Sequence, residues 1–299
     1  MPEEDRFRGA MLGLALGDRL GSPLEGSLRV SAKEADAVIN SSKPLKYTDD
    51  TETAMALADA LARGLGVDET AMLIASGADE SRGYGRGAIE TLRRIRSGEG
   101  WSEAARAVFP EGSYGNGAAM RAAPIGLRHH SDLNALAEAC RTTSCITHTH
   151  PLAIEGAMLI ATATAMSIGG SAGDEIMGAL MGMSAEEQYK SKLALVRTML
   201  GLDVSPEEAA DALGNGVRAD RSVPAAIYAR LRFGADCVGA IRFCILMGGD
   251  TDTIASMAGA MCGAMAGESA LPERLVARVE SAGRIADLGS ALFEASRSI

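Results

Sequence analysis

No stretch of this sequence alternates apolar and polar residues for long enough to demand a sheet, whereas apolar residues recur at helical spacing along most of it. Phe7, Met11 and Leu14 fall on one face of a helix, as do Leu57, Leu61 and Leu65. Ile89, Leu92 and Ile95 make another stripe, with Arg93, Arg94 and Arg96 turned outward. Leu275, Val279 and Ile285 predict a final helix, while the short apolar run 244–247 suits either a helix or a strand. Only 4% of residues are aromatic, so the interior must be built from Ala, Leu, Ile, Val and fifteen Met, with 35 Gly among them. Small side chains let helix backbones approach closely, which favours many packed helices over a sandwich of aromatic strands. The expected fold class is all-α. No low-complexity linker divides the 299 residues, so 1–299 is read as a single domain.

A formal net charge of −10 repels phosphodiester backbones and argues against general nucleic-acid binding. An anionic small molecule is still admissible where metal ions or backbone N–H groups neutralise it locally. The five cysteines (Cys140, Cys145, Cys237, Cys244 and Cys262) are odd in number and form no Cys-x-x-Cys pair. They read as reduced thiols acting as small hydrophobes. The first eight residues are charged and lack the basic-then-apolar order of a signal peptide. The longest uncharged apolar stretch, 254–267, is too short and too rich in Gly and Ala to span a bilayer. These features predict a soluble, cytoplasmic chain that engages no membrane.

Two acidic clusters stand out. Thr48-Asp49-Asp50-Thr51 opens one helical pattern, over 52–65, and Gly249-Asp250-Thr251-Asp252-Thr253 opens another, over 254–267. Asp and Thr are favoured at helix starts because they satisfy orphan N–H groups and the helix dipole. Capping needs only one side chain, however, and each cluster brings two carboxylates. If the clusters converge, their mutual repulsion calls for cations between them. Ligands that are all oxygen suit a hard cation, magnesium or manganese, better than zinc. Spacing alone leaves capping and metal binding both open. Two other Asp-rich patterns fail: Ile254 stands where an aspartyl-phosphate phosphatase has Thr or Val, and Thr53 where an isoprenoid synthase has its third Asp.

Gly112-Ser113-Tyr114-Gly115-Asn116-Gly117 could wrap a diphosphate, since glycines let backbone N–H groups approach phosphate oxygens. No Lys follows as a Walker motif requires, and a plain surface loop fits equally well. Gly214-Asn215-Gly216 echoes its centre, and Pro124 and Pro224 each follow several residues later. In Thr147-His148-Thr149-His150 two rings would share a face only in a strand, so a polar turn entering a helix at Pro151 is the simpler reading. One of these histidines suits substrate contact better than metal ligation. Glu25 lies in a loop, and nothing local distinguishes it.

Together these segments resemble the ADP-ribosylhydrolase (ADP-ribosylglycohydrolase) family, from about residue 8 to 267. The motifs that match are Gly17-Asp18-x-x-Gly21-x-x-x-Glu25, Thr48-Asp49-Asp50-Thr51 and Gly249-Asp250-x-Asp252-Thr253. Arg82-Gly83-Tyr84-Gly85, the 112–117 loop, Gly214-Asn215-Gly216 and Ser222-Val223-Pro224 resemble the serine-type branch, which also cleaves poly(ADP-ribose) and O-acetyl-ADP-ribose. Thr147-His148-Thr149-His150-Pro151 resembles instead the bacterial branch that removes ADP-ribose from arginine of nitrogenase reductase. In the serine-type branch a Phe that stacks on adenine stands where this chain has Val108, and Phe109 comes one residue later, so Phe109 and Tyr114 are alternative stacking partners.

The resemblance implies a compact orthogonal multi-helix bundle with a central two-metal cleft. It assigns two magnesium ions, or manganese, to Glu25, Thr48, Asp49, Asp50, Asp250, Asp252 and Thr253. It assigns the diphosphate to Gly112, Ser113, Tyr114, Gly115, Asn116 and Gly117, and places Tyr114, His148 and Val217 near the adenosine end. Glu25 becomes a mobile flap carboxylate that handles the proton on the leaving oxygen, with Asp250 as base. The expected activity is magnesium-dependent hydrolysis of ADP-ribose from protein serine by a monomer acting on ADP-ribosylated proteins or ADP-ribose derivatives. The alternatives are arginine-linked ADP-ribose, an inactive ADP-ribose-binding regulator, or a metal-dependent phosphohydrolase or synthase.

Overall fold

Glycine at every fourth position of the first helix, Glu3–Gly21, sets the architecture. Gly9, Gly13, Gly17 and Gly21 form one stripe against the helix Thr251–Ala266, whose own Gly259 and Gly263 face them. A Cβ at any of the four would overlap backbone atoms of the partner: on Gly21 it would lie 2.5 Å from Thr251 O. Two helix backbones therefore touch with no side chain between them. Both helices are buried over most of their length and form the centre of the molecule.

The computed structural model describes residues 3–44 and 46–297, which form eighteen α-helices and three short 3-10 turns with no strand among them. Helices Pro151–Ile168, Ala219–Phe233, Cys237–Leu246 and Ala282–Ser296 surround the central pair, so the 244–247 run is mostly helical. Their shared core is mostly Ala, Leu, Ile and Met, with Phe7, Tyr189, Tyr228 and Phe243 as the few large buried rings. The cysteines are unpaired, four buried and Cys145 partly so. Pro151–Ile168 is long and apolar enough to cross a membrane by length and composition, and 78% of it is buried within the protein, as in a core helix.

A smaller apolar cluster joins Val67–Gly77, Arg86–Arg96 and Trp101–Val108 through Ile74, Ile89, Leu92 and Ile95. Arg93 and Arg96 point outward and share Glu80, while Arg94 pairs with Glu90 and Glu99. This annex walls one side of a cleft over the N-terminal ends of Asp49–Ala62 and Thr251–Ala266.

Two sequence expectations need correction. Leu65 lies outside its helix, which ends at Ala62 and passes into Gly64 with φ 66°. Leu275, Val279 and Ile285 do not share one helix: Glu273–Val276 ends early, and Ala282–Ser296 starts after Ser281. Ser281 has φ 58°, a left-handed backbone that breaks the helix without a glycine or proline at that position.

Candidate functional site

Asp18 organises the site, although it lies within the apolar first helix. Its carboxylate is fully buried and accepts hydrogen bonds from Thr48 N–H (3.1 and 3.0 Å) and Oγ1–H (2.9 Å), and from Thr51 N–H (3.1 Å) and Oγ1–H (2.5 Å). The Thr48–Thr51 turn is thereby fixed to the central helix pair. Thr48 also caps Asp49–Ala62, accepting from Asp50 N–H. Capping is thus present, and it leaves the Asp49 and Asp50 carboxylates free for other work.

The second acidic turn is reached through Gly248 and Gly249, with φ of 69° and 74°, conformations open to glycine at little cost. Asp250 stands at the head of Thr251–Ala266. Thr253 Oγ1–H reaches the Asp50 carboxylate at 3.3 Å, so residues some two hundred positions apart meet. One oxygen each from Asp18, Asp50 and Asp252 lie within 4.8 Å of one another, and so do oxygens of Glu25, Asp250 and Asp252.

Both Gly-Asn-Gly segments support this second turn. Asn116 donates from Nδ2 to Asp250 Oδ2 (2.5 Å) and to Ser222 Oγ (3.1 Å). The Asn215 carbonyl accepts Asp250 N–H at 2.8 Å, and its Nδ2 donates to Met247 O at 2.8 Å. The echo in the sequence therefore has a structural reason, because one asparagine orients the Asp250 carboxylate and the other its backbone. The Glu25 loop is tied to the same turn by Gly26 N–H to Gly249 O and Gly249 N–H to Ser27 O, each 2.8 Å.

Burial pushes every one of these carboxyls upward; neighbouring carboxylates add to the effect at Glu25, Asp49, Asp50 and Asp252, whereas hydrogen bonds oppose it at Asp250. Asp49 rises to about 7, through burial first and Asp18 next. Asp252 rises to about 9, through burial and then Asp250 and Glu25. Asp50 is raised well above its usual range by burial, then Asp18 and Asp252. Asp250 and Glu25 are raised as well, with burial leading in both. So many carboxylates cannot ionise together in a buried space without compensating positive charge, and no Arg or Lys makes a salt bridge to them among the described residues. The donors are carboxylates and threonine hydroxyls, a set that fits a hard divalent cation. Asp18 takes four hydrogen bonds from Thr48 and Thr51 and so anchors the turn that carries Asp49 and Asp50.

The acidic turns line a cavity of about 330 Å³. Its wall includes Glu25, Thr48, Asp49, Asp250, Asp252 and Thr253, while Asp50 sits behind them, 1% exposed. From the glycine loop, Ser113, Gly115, Asn116 and Gly117 line the cavity, with Val217 beside them. Gly112 and Tyr114 do not. A Cβ on Gly112, which has φ 83°, would lie 2.7 Å from His150 N. The Tyr114 ring packs edge-on to His150 (5.7 Å) under the Arg218 guanidinium (4.8 Å). Phe109 does line the cavity, with its ring over Gly87, where a Cβ would overlap it. Of the two alternative stacking partners, only Phe109 faces the cavity.

His148 is buried and also lines the cavity, while His150 caps the helix from Pro151, accepting Leu152 N–H at 3.1 Å. Arg121, which no sequence motif singled out, is buried and donates to Gly117 O (2.9 Å), Thr143 O (3.1 Å) and Thr147 Oγ1 (2.9 Å). Thr147 Oγ1 lies 2.7 Å from His148 Nδ1. Arginine can only donate, so the Thr147 hydroxyl accepts its N–H, and with a second lone pair and its own proton it meets Nδ1 in either tautomer of His148. Nε2 faces the loop: a Cβ on Gly117 would come within 3.0 Å of it, and one on Gly115 within 3.2 Å. Burial and then Arg121 hold His148 down to about 3, so its imidazole is neutral at physiological pH.

The remaining wall is formed by Gly83, Tyr84 and Gly85. Tyr84 donates its hydroxyl to Glu52 Oε2 (2.7 Å), which also takes Asp79 N–H (2.9 Å). The cavity wall thus combines acidic groups suited to a cation, N–H and hydroxyl groups suited to an anion, and an aromatic face.

A family model for ADP-ribosylglycohydrolase matches residues 1–298. ADP-ribosylhydrolase ARH3 of Mus musculus is 34% identical over 321 residues, covering 90% of this chain and 85% of its own length. The Homo sapiens protein of that name is 32% identical over the same length, covering 90% and 87%. An uncharacterized protein of Escherichia coli K12, YegU, is 29% identical, covering 94% and 93%. A solved structure titled ADP-ribosylglycohydrolase-related protein complex superposes with a TM-score of 0.78 at 25% identity, covering 98% of this chain and 99% of that one. This chain therefore belongs to the ADP-ribosylglycohydrolase family and is a hydrolase of ADP-ribose linkages.

Proposed function

We propose that this chain uses two magnesium ions to hydrolyse the glycosidic bond between ADP-ribose and a protein side chain, serine before arginine. The observation that supports this most is the meeting of Asp49 and Asp50 with Asp250 and Asp252 beside the cavity that Ser113–Gly117 and His148 line. Thr48, Asp49, Asp50, Asp250, Asp252 and Thr253 would hold the ions, with Glu25 reaching them from its loop. When bound, the ions supply positive charge and Lewis acidity at the sugar hydroxyls.

The protein groups do the rest. The Gly117 N–H, Ser113 and His148 bind the diphosphate, and Phe109 stacks on the base; the Asn116 N–H is taken by Val217 O at 2.9 Å and holds the loop in shape. That remote binding fixes the distal ribose over the acidic turns. The bond from the anomeric carbon to the leaving oxygen breaks through an oxocarbenium-like state as a water oxygen bonds to the same carbon. Asp250, oriented by the Asn116 amide at one of its oxygens, takes the water's proton. Glu25, at the cavity edge, delivers a proton to the leaving oxygen.

Glu25→Gln should fold and bind ADP-ribose yet lose turnover, and full activity in that variant would remove Glu25 from the chemistry. Serine-linked, arginine-linked and polymeric ADP-ribose, assayed side by side with magnesium and again with EDTA, test the activity. Release of inorganic phosphate in place of free ADP-ribose would refute it.

A further inference from the structure

Glu25, Thr48 and Gly83 line the ADP-ribose cavity and also a second one of about 250 Å³. The second cavity adds Ser22, Lys46, Tyr47, Asp79, Ser81 and Arg82, none of which reaches the first. Conversely Phe109, Ser113, Gly117 and Val217 touch only the first. The two spaces therefore lie on opposite sides of a line through Glu25, Thr48 and Gly83. If the adenosine diphosphate occupies the 109–117 side, whatever is attached to the anomeric carbon must leave across that line.

We infer that the second cavity is the acceptor subsite, holding the polypeptide segment that flanks the modified side chain. This rests on the function proposed above and adds which surface reads the protein part of the substrate. One wall is rigid. Arg82 donates to Glu280 (3.0 and 3.1 Å) and to Tyr47 O (2.9 Å), its guanidinium lies 4.0 Å from the Tyr47 ring centre, and it pairs with Glu52. On this wall Asp79 Oδ1 accepts the Ser81 hydroxyl (2.7 Å) and the Ser81 N–H (3.0 Å) and remains open to solvent. Lys46 stands exposed on the rim of the same groove, near enough to Asp79 to add to the lowering of its carboxyl by Ser81. The groove thus offers both acceptors and a donor, which is what a peptide backbone with its paired N–H and C=O groups needs. Glu25 at the junction lies between sugar and acceptor, where the leaving oxygen must pass.

The test compares ADP-ribose on a single serine or arginine with the same linkage inside a peptide, using the unmodified chain, Ser81→Trp and Lys46→Glu. Ser81→Trp fills the groove, and Lys46→Glu reverses an exposed charge without touching the fold; melting temperatures check both. The unmodified chain should prefer the peptide by about tenfold in kcat/KM, the equivalent of one or two backbone hydrogen bonds. Each variant should erase that preference through KM while leaving the single-residue substrate within about twofold. Equal use of both substrates by the unmodified chain overturns the subsite, as does a preference that survives both variants. Failure to cleave either substrate refutes the glycohydrolase reading itself, a different result from losing the groove alone.

Discussion

Replacing Gly17 by Ala asks whether the backbone contact between the two central helices holds the site together. The added methyl would overlap the Ala255 carbonyl and lie 2.6 Å from Ser256 N, below the 3.0 Å that real Cβ atoms respect. All three atoms are backbone on a buried helix, so no side chain can rotate away and the helices must part by about 1 Å. Overpacking of this kind costs about 1–3 kcal/mol, and rigid backbone puts it at the upper end. Alanine in a helix interior returns about 1 kcal/mol relative to glycine, leaving about 2 kcal/mol of destabilisation. At about 2–4 °C per kcal/mol for a chain of this size, the melting point should fall by about 4–8 °C. The displacement also moves Asp18, the next residue, away from Thr48 and Thr51, so magnesium affinity measured by calorimetry should drop in the same variant. Gly178→Ala is the control: it lies within a helix with nothing within 4 Å of its Cβ position, and should stabilise by about 0.5–1 kcal/mol. If Gly17→Ala melts at or above the parent and binds magnesium unchanged, the close approach of the helices does not support the site.

Asp18→Asn keeps the shape but turns an NH₂ group toward the Thr48 and Thr51 donors, leaving buried donors unmatched at about 1–3 kcal/mol each. Urea unfolding should show the loss together with weaker magnesium binding, and an unchanged midpoint would remove Asp18 as the anchor. His148 has a folded value of about 3 against 6.5 when unfolded. As pH falls through 6.5 the unfolded chain takes up this proton while the folded chain does not, so stability is lost down to about 3, at up to about 1.4 kcal/mol per pH unit. His148→Gln should flatten that part of the stability–pH curve, and an identical slope in both proteins would contradict the buried, neutral imidazole.

What the sequence made legible was local. Small residues and helical spacing marked an all-α chain, and the two acidic clusters marked helix starts, which Thr48 and Asp250 occupy. Pro151 likewise marked a helix that His150 caps. The break at Ser281 was not legible, because no glycine or proline stands there; Glu280 just before it is held by Arg82, from nearly two hundred residues away. Asp18 stood within a matched motif but was given no role, for a related reason. In a helix buried on nearly every side, one carboxylate carries no periodic signal, and its four donors come from a turn thirty residues on. The pair Gly17-Asp18 nevertheless joins two demands of the fold at neighbouring positions: the glycine lets the Thr251 helix approach, and the aspartate fixes the Thr48 turn beside it. Each acidic cluster is therefore positioned from the same turn of the first helix, one by backbone contact and the other by hydrogen bonds. A change at either residue should be felt at both clusters, which separate capping of two unrelated helices would not produce.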